Sequence, residues 1–105
     1  MAQRIDKKIE TIVQQYAELL QTVYSIHSIY LYGSRSAGLS SEDSDIDVAV
    51  VSEDFTGDPV EDMVQLMRYR RSIDLRIEPH PFTVPGFTTA NPIAKEIMET
   101  GIRIL

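Results

Sequence analysis

The 105-residue chain contains no cysteine. Disulfides, zinc sites built from thiolates and cysteine nucleophiles are therefore excluded. Long apolar runs are also missing, and no stretch approaches the roughly 20 residues that a membrane-spanning helix needs. The N-terminus has no apolar segment behind its charged residues, so no signal peptide is predicted. These absences predict a cytoplasmic protein without a membrane partner.

Positive charge is scarce as well, with 10 Lys and Arg against 16 Asp and Glu, a formal net charge of -6. Direct nucleic-acid binding is disfavoured because it needs a basic surface that displaces counterions from phosphates. The hydrophobic fraction of 43% is ordinary for a globular protein, and the length predicts one domain over residues 1–105. A large substrate must therefore lie on the outside of this domain or be another protein.

Hydrophobic periodicity and turn residues predict seven elements in the order helix, strand, strand, helix, strand, helix, strand. Their predicted bounds are Ile5–Val23, Ser28–Tyr32, Asp45–Val51, Pro59–Arg71, Ser72–Glu78, Pro92–Thr100 and Ile102–Leu105. The residues between Pro79 and Ala90 include three prolines and are predicted as a loop. This order predicts an α/β or α+β fold, a small mixed β-sheet with helices packed on one face.

Two of these elements rest on particular patterns. An apolar stripe of Val60, Met63, Val64 and Met67 predicts the second helix. In the third predicted strand the apolar residues alternate with polar ones, which places Asp74 on a polar face together with Arg76 and Glu78.

The most informative segment is Ser44-Asp45-Ile46-Asp47-Val48. Residues two apart in a strand point to the same face, so Asp45 and Asp47 project together while Ile46 and Val48 enter the core. Two carboxylates side by side repel each other and are best explained by a bound cation, for which Mg²⁺ suits oxygen ligands. If the third strand neighbours the second, Asp74 completes a set of three carboxylates that could hold two ions.

The loop before these aspartates begins with Gly33-Ser34-Arg35. A glycine directly after a strand lets the backbone approach phosphate oxygens, and neighbouring N–H groups and the Ser34 hydroxyl can donate to them. Arg35 is an equally good candidate for a phosphate contact and for a structural salt bridge.

Gly33-Ser34, ten intervening residues and then Asp45-x-Asp47 resemble the signature of the polymerase-β-like nucleotidyltransferases. The short length and the Gly-Ser-Arg opening resemble the minimal nucleotidyltransferases of that superfamily. The resemblance covers most of the chain and implies a nucleotidyltransferase-like fold. It also implies metal-dependent transfer of a nucleoside monophosphate, AMP from ATP in the first instance, to a hydroxyl, with pyrophosphate leaving.

Carried over residue by residue, the resemblance makes Asp45, Asp47 and Asp74 the catalytic metal ligands for two Mg²⁺ ions. It makes Gly33 and Ser34 the triphosphate contacts. Minimal members are commonly encoded beside a helical partner of the HEPN class, as the antitoxin of a toxin–antitoxin pair, and some transfer AMP to the toxin. The resemblance therefore implies a HEPN-type toxin as partner, and the chain could also form oligomers.

Two other phosphate or metal motifs are incomplete. Gly33 to Gly38 has the glycine spacing of a Walker A loop, but Leu39 stands where that loop needs lysine. The aspartates from Asp43 onward match a calcium loop at four positions, but Val48 occupies the position that needs glycine. Both motifs are rejected.

Two alternatives to transfer onto a partner protein stay open at this point. The chain could be an antitoxin that neutralises its partner by contact, with idle catalytic residues. It could also be an adenylyltransferase of the aminoglycoside type, although it has no second domain to hold a drug.

Overall fold

Seven elements lie in residues 6–33 and 44–105, the part of the chain that the computed structural model describes. In chain order they are α1 (Lys7–Gln21), β1 (Ile26–Tyr32), β2 (Ile46–Ser52), α2 (Pro59–Arg70), β3 (Ile77–Phe82), α3 (Pro92–Thr100) and β4 (Ile102–Arg103). The predicted order of elements is confirmed. Within these described ranges, no helix combines the length and the apolar character that crossing a membrane requires.

Each described helix begins at a polar capping residue. The side chains of Asp6, Asp58 and Asn91 accept hydrogen bonds from backbone N–H groups of the first turns of α1, α2 and α3. Such caps satisfy donors that have no partner inside the helix. Prolines at the start of α2 and α3 add a preset backbone angle where no N–H is needed. For this reason both helices begin at the predicted residue. Helix α3 also ends at the predicted residue, whereas α2 ends at Arg70, one residue before its predicted end.

The four strands form one mixed sheet in the order β3-β2-β1-β4. Strand β1 pairs antiparallel with β2 and with β4, while β2 pairs parallel with β3. In this register Asp47 lies between two neighbours, Tyr32 on β1 and Glu78 on β3. The predicted mixed sheet is confirmed, and its register places Asp47 beside a second carboxylate.

The main core lies between one face of the sheet and the first two helices. From α1 it contains Ile9, Val13, Tyr16 and Leu20, and from α2 it contains Leu66; the strands contribute Ile29, Leu31, Ile46, Val48, Val50 and Ile77. The buried Tyr16 hydroxyl donates a 2.7 Å hydrogen bond to the Leu66 carbonyl and links the helices. Because Ile46, Val48 and Val50 face this core, Asp47 projects from the opposite face of β2.

The apolar stripe that predicts α2 does not face the core. Val60 is 71% exposed and Val64 is 47% exposed. The buried side of α2 instead carries Leu66 and Asp62, a residue whose carboxylate accepts hydrogen bonds from Thr56 N, Thr56 Oγ1 and Gly57 N. These bonds hold α2 against the preceding turn and leave its stripe on the surface.

The predicted third strand, Ser72–Glu78, is wrong over most of its length, because β3 begins only at Ile77. The residues before it form turns, in which Ile73 N and Asp74 N donate to the Arg70 carbonyl. The Asp74 side chain then accepts from Arg76 N at 2.8 Å, which replaces a strand ladder by a local turn.

Strand β3 continues through Pro79 and Pro81, within the segment predicted as a loop. Proline has no N–H for a ladder and is confined in sheets mainly to edge strands. The sheet order places β3 at the edge, which explains why a strand can hold two prolines here.

Candidate active site

Asp47 is the centre of the site. It is the second residue of β2, and Asp45 directly precedes that strand. Alternation with Ile46 and Val48 brings the Asp47 carboxylate to the face away from the core, as predicted. Asp45 is exposed and Asp47 is half-buried, so both are open to a ligand from solvent.

Glu78 and His80 join these aspartates from the neighbouring strand. Glu78 lies opposite Asp47 in the parallel β2–β3 pair, and His80 follows two residues later on the same face. One ligand atom from each of Asp47, Glu78 and His80 lies within 4.8 Å of the others. Asp45 also lies close enough to Glu78 to raise the pKa of its carboxyl. Two carboxylates and one imidazole therefore converge, with Asp45 beside them.

The crowding of these carboxylates is visible in their electrostatics. Burial raises the pKa of Glu78, and the neighbouring carboxylates of Asp45 and Asp47 raise it further, while His80 lowers it. Burial likewise raises the pKa of the Tyr32 hydroxyl, with further contributions from Asp47 and Glu78. A negative charge is thus costly at this place, and a divalent cation would offset that cost. The donor set, mainly oxygen with one nitrogen, fits such an ion.

Gly33 shapes the wall of this cluster. Its φ of +74° lies in the left-handed region, which glycine adopts without steric cost. A Cβ at this position would stand 2.5 Å from Asp47 Oδ2. A side chain here would collide with the Asp47 carboxylate, so Gly33 belongs to the site through the space that it leaves.

The remaining predicted site residues are placed differently. Asp74 lies in the turn before β3 and forms a 2.8 Å ion pair with Arg76. Among the described residues, the cluster of possible metal ligands contains Asp47, Glu78 and His80 and neither Asp45 nor Asp74. Ser34 and Arg35 lie outside the described residues, so their predicted phosphate contacts stay predictions.

Glu78 and His80 are the site residues that the sequence analysis missed. The segment Ile77–Phe82 does alternate, with Ile77, Pro79 and Pro81 on one side and Glu78, His80 and Phe82 on the other. The prolines concealed this alternation because they also predict a loop. A paired Glu-x-His at strand spacing was the available signal.

An apolar groove of about 380 Å³ adjoins the cluster. Its walls include Val60, Met63 and Met67 of α2 and Phe82 of β3, together with Tyr32 and His80. The rings of Tyr32 and His80 pack edge to face, with centroids 5.7 Å apart. The groove and the cluster therefore share His80, and Tyr32 packs against that residue from the groove.

Comparison with known protein families matches residues 7–105 to the family described as polymerase beta, nucleotidyltransferase. None of the curated proteins compared with the chain matches it in sequence.

Solved structures share the fold. A protein of Sulfolobus solfataricus described as a nucleotidyltransferase is similar at a TM-score of 0.65 and 15% identity, covering 91% of this chain and 78% of that one. A toxin–antitoxin structure with AMP-PNP is similar at a TM-score of 0.63 and 22% identity, covering 91% of this chain and 72% of that one. A mutant of the toxin–antitoxin MntA–HpeT is similar at a TM-score of 0.62 and 20% identity, again covering 91% of this chain and 72% of that one. At these identities the likeness concerns the fold.

Proposed function

Because the chain belongs to the polymerase beta nucleotidyltransferase family and is a nucleotidyltransferase, we propose that it transfers AMP from ATP to a hydroxyl group of a partner toxin. We further propose that this toxin is a helical protein of the HEPN class and that the reaction takes place in the cytoplasm. The convergence of Asp47 and Glu78 on one face of the sheet, with Asp45 directly before the strand of Asp47, is the observation that carries this proposal.

Asp45, Asp47 and Glu78 would hold two divalent cations, Mg²⁺ in the first instance. Bound there, such ions neutralise the triphosphate and lower the pKa of an attacking hydroxyl. The Glu78 carboxylate, which lies opposite Asp47, would be the third carboxylate and would aid removal of the proton from that hydroxyl. The hydroxyl oxygen then bonds to the α-phosphorus, and the bond from that phosphorus to pyrophosphate breaks.

Gly33 contributes by leaving space beside the Asp47 carboxylate, which fixes where that ligand stands. The triphosphate contacts proposed for Gly33, Ser34 and Arg35 would place the α-phosphorus next to the carboxylates. Asp74 remains an alternative third carboxylate, and its ion pair with Arg76 favours Glu78 over it.

Two observations support a protein acceptor and ATP. Two of the structures with the same fold are toxin–antitoxin complexes, one of them with AMP-PNP. The groove beside the cluster is apolar, and exposed apolar surface of this kind is typical of protein–protein contact.

The test adds the purified chain, Mg²⁺ and ATP labelled at the α-phosphate to a lysate of the source organism. We expect a labelled protein band with the wild type and none with the Asp45→Asn/Asp47→Asn variant or with ATP labelled at the γ-phosphate. Identification of the labelled band by mass spectrometry names the acceptor. Absence of any band with folded, ATP-binding wild type would overturn the proposed protein acceptor.

The variants Glu78→Gln and Asp74→Asn form a matched pair in the same assay. If Glu78 is the third carboxylate, Glu78→Gln loses about 100-fold or more in rate, while Asp74→Asn retains most of it. A larger loss of rate in Asp74→Asn than in Glu78→Gln, with the circular dichroism of both variants unchanged, would show that Asp74 is the third carboxylate.

The contact-only alternative has its own support in the exposed groove. It predicts that the Asp45→Asn/Asp47→Asn variant still protects cells that express the toxin. Loss of protection in that variant, with binding to the toxin retained, would favour transfer.

A further inference from the structure

Among the described residues, His80 supplies the one nitrogen donor of the cluster, beside the carboxylates of Asp47 and Glu78. Its Nε2 atom lies 3.6 Å from Asp47 Oδ1, and both side chains are about 30% exposed. This separation is too long for a hydrogen bond. Two ligands on one ion, each about 2.1 Å from it, lie about 3.0–3.5 Å apart. The gap between His80 and Asp47 is therefore close to the width that one cation requires.

Two features hold the imidazole in this position. The register of β2 and β3 places His80 opposite Ala49, one alternate position beyond the facing pair Asp47 and Glu78. The Tyr32 ring packs against the His80 ring at an interplanar angle of 63°. Strand register and ring packing thus point Nε2 along the same face as the two carboxylates.

We propose that His80 is a metal ligand together with Asp47 and Glu78, and that this site consequently binds Mn²⁺ in preference to Mg²⁺. The inference rests on the metal site of the proposed function but not on the transfer reaction. Mg²⁺ demands near-ideal octahedral oxygen coordination and dehydrates reluctantly. Imidazole suits transition metals, whereas carboxylates suit Mg²⁺ and Mn²⁺ alike. A mixed set of two carboxylates and one imidazole therefore favours the ion that accepts both kinds of donor.

The first measurement is a titration of the nucleotide-free chain with Mn²⁺ and separately with Mg²⁺ by isothermal calorimetry. We expect wild type to bind Mn²⁺ at least tenfold more tightly than Mg²⁺. His80→Asn should lose about tenfold in Mn²⁺ affinity and less than threefold in Mg²⁺ affinity. His27→Asn, a change at an exposed position of β1, is the matched control and should resemble wild type.

The second measurement detects the ligand directly. Pulsed electron paramagnetic resonance of the Mn²⁺-loaded chain should show coupling to an imidazole nitrogen in wild type and His27→Asn, and none in His80→Asn. A wild type without nitrogen coupling, or equal losses for Mn²⁺ and Mg²⁺ in a folded His80→Asn variant, would overturn the inference.

These outcomes are separable from those of the transfer assay. Nitrogen coupling without labelling of any acceptor would leave the metal site intact and remove the proposed reaction. Labelling of an acceptor without nitrogen coupling would support the proposed reaction and remove His80 as a metal ligand.

Discussion

Helices α1 and α2 both carry apolar residues at helical spacing, but only α1 buries them. Ile9, Val13 and Leu20 of α1 are in the core, whereas Val60 and Val64 of α2 are exposed. Periodicity therefore identifies a helix without identifying the side that packs. In α2 the orientation is set by Leu66 and by the hydrogen bonds of Asp62, and the apolar stripe becomes a surface beside the site.

The largest expected effect tests whether the apolar residues of α1 are buried in the core. Leu20→Ala in α1 removes a fully buried side chain and should lower the free energy of unfolding by about 2–5 kcal/mol. Urea denaturation measures it. Leu19→Ala, the same change at a half-buried neighbour, is the control and should cost less than half as much. Equal costs would show that α1 packs through a different side.

The next effect concerns the polar anchor of α2. Asp62→Ala leaves the N–H groups of Thr56 and Gly57 without their acceptor and should cost about 1–3 kcal/mol of unfolding free energy. The exposed neighbour gives the control, Glu61→Ala, which should change stability by less than about 0.5 kcal/mol. If both variants unfold at the wild-type urea concentration, Asp62 does not orient the helix.

A smaller effect concerns the link between the two helices. Tyr16→Phe keeps the buried ring but removes the hydroxyl that donates to the Leu66 carbonyl, so it should cost about 1 kcal/mol. Thermal melting followed by circular dichroism detects this change. Tyr24→Phe, at a half-buried ring, should melt close to wild type. An unchanged melting temperature for Tyr16→Phe would mean that packing alone joins α1 to α2.

The smallest effect lies on the exposed stripe. Val64→Ala should alter the free energy of unfolding by less than about 0.5 kcal/mol, because the side chain is nearly half exposed. The same substitution at the fully buried Val13 should cost about 2 kcal/mol. Chemical denaturation of these two variants measures the effect of the same substitution, Val to Ala, on the free energy of unfolding in each helix. Similar losses at both positions would contradict the surface placement of the α2 stripe.

Local signals predicted much of this fold. Asp58-Pro59 and Asn91-Pro92 contain a cap and a first-turn proline, and both helices begin there. Strand β2 was predicted to within one residue because Asp47 and its apolar neighbours alternate. These signals depend on residues adjacent in the chain, so one sequence contains all that they need.

The third strand could not be placed in this way. The residues around Asp74 alternate as in a strand, but they form a turn that the Asp74 side chain closes by accepting from Arg76 N. Pro79 fits in β3 because, among the described strands, β3 lies at the edge of the sheet. The same limit applies to the site. Local alternation is enough to predict Asp45 and Asp47 as candidate ligands. The contact between Glu78 and Asp47 depends on the parallel register of two strands that a helix separates in the chain.

The two prolines of β3 also affect how the molecule behaves at high concentration. A bare sheet edge is a template on which a second chain can add a strand, and such pairing leads to aggregation. With Pro79 and Pro81 in a strand of six residues, this edge lacks two of the donors that a continuous intermolecular ladder would use. The strand that carries Glu78 and His80 is thereby protected from self-association.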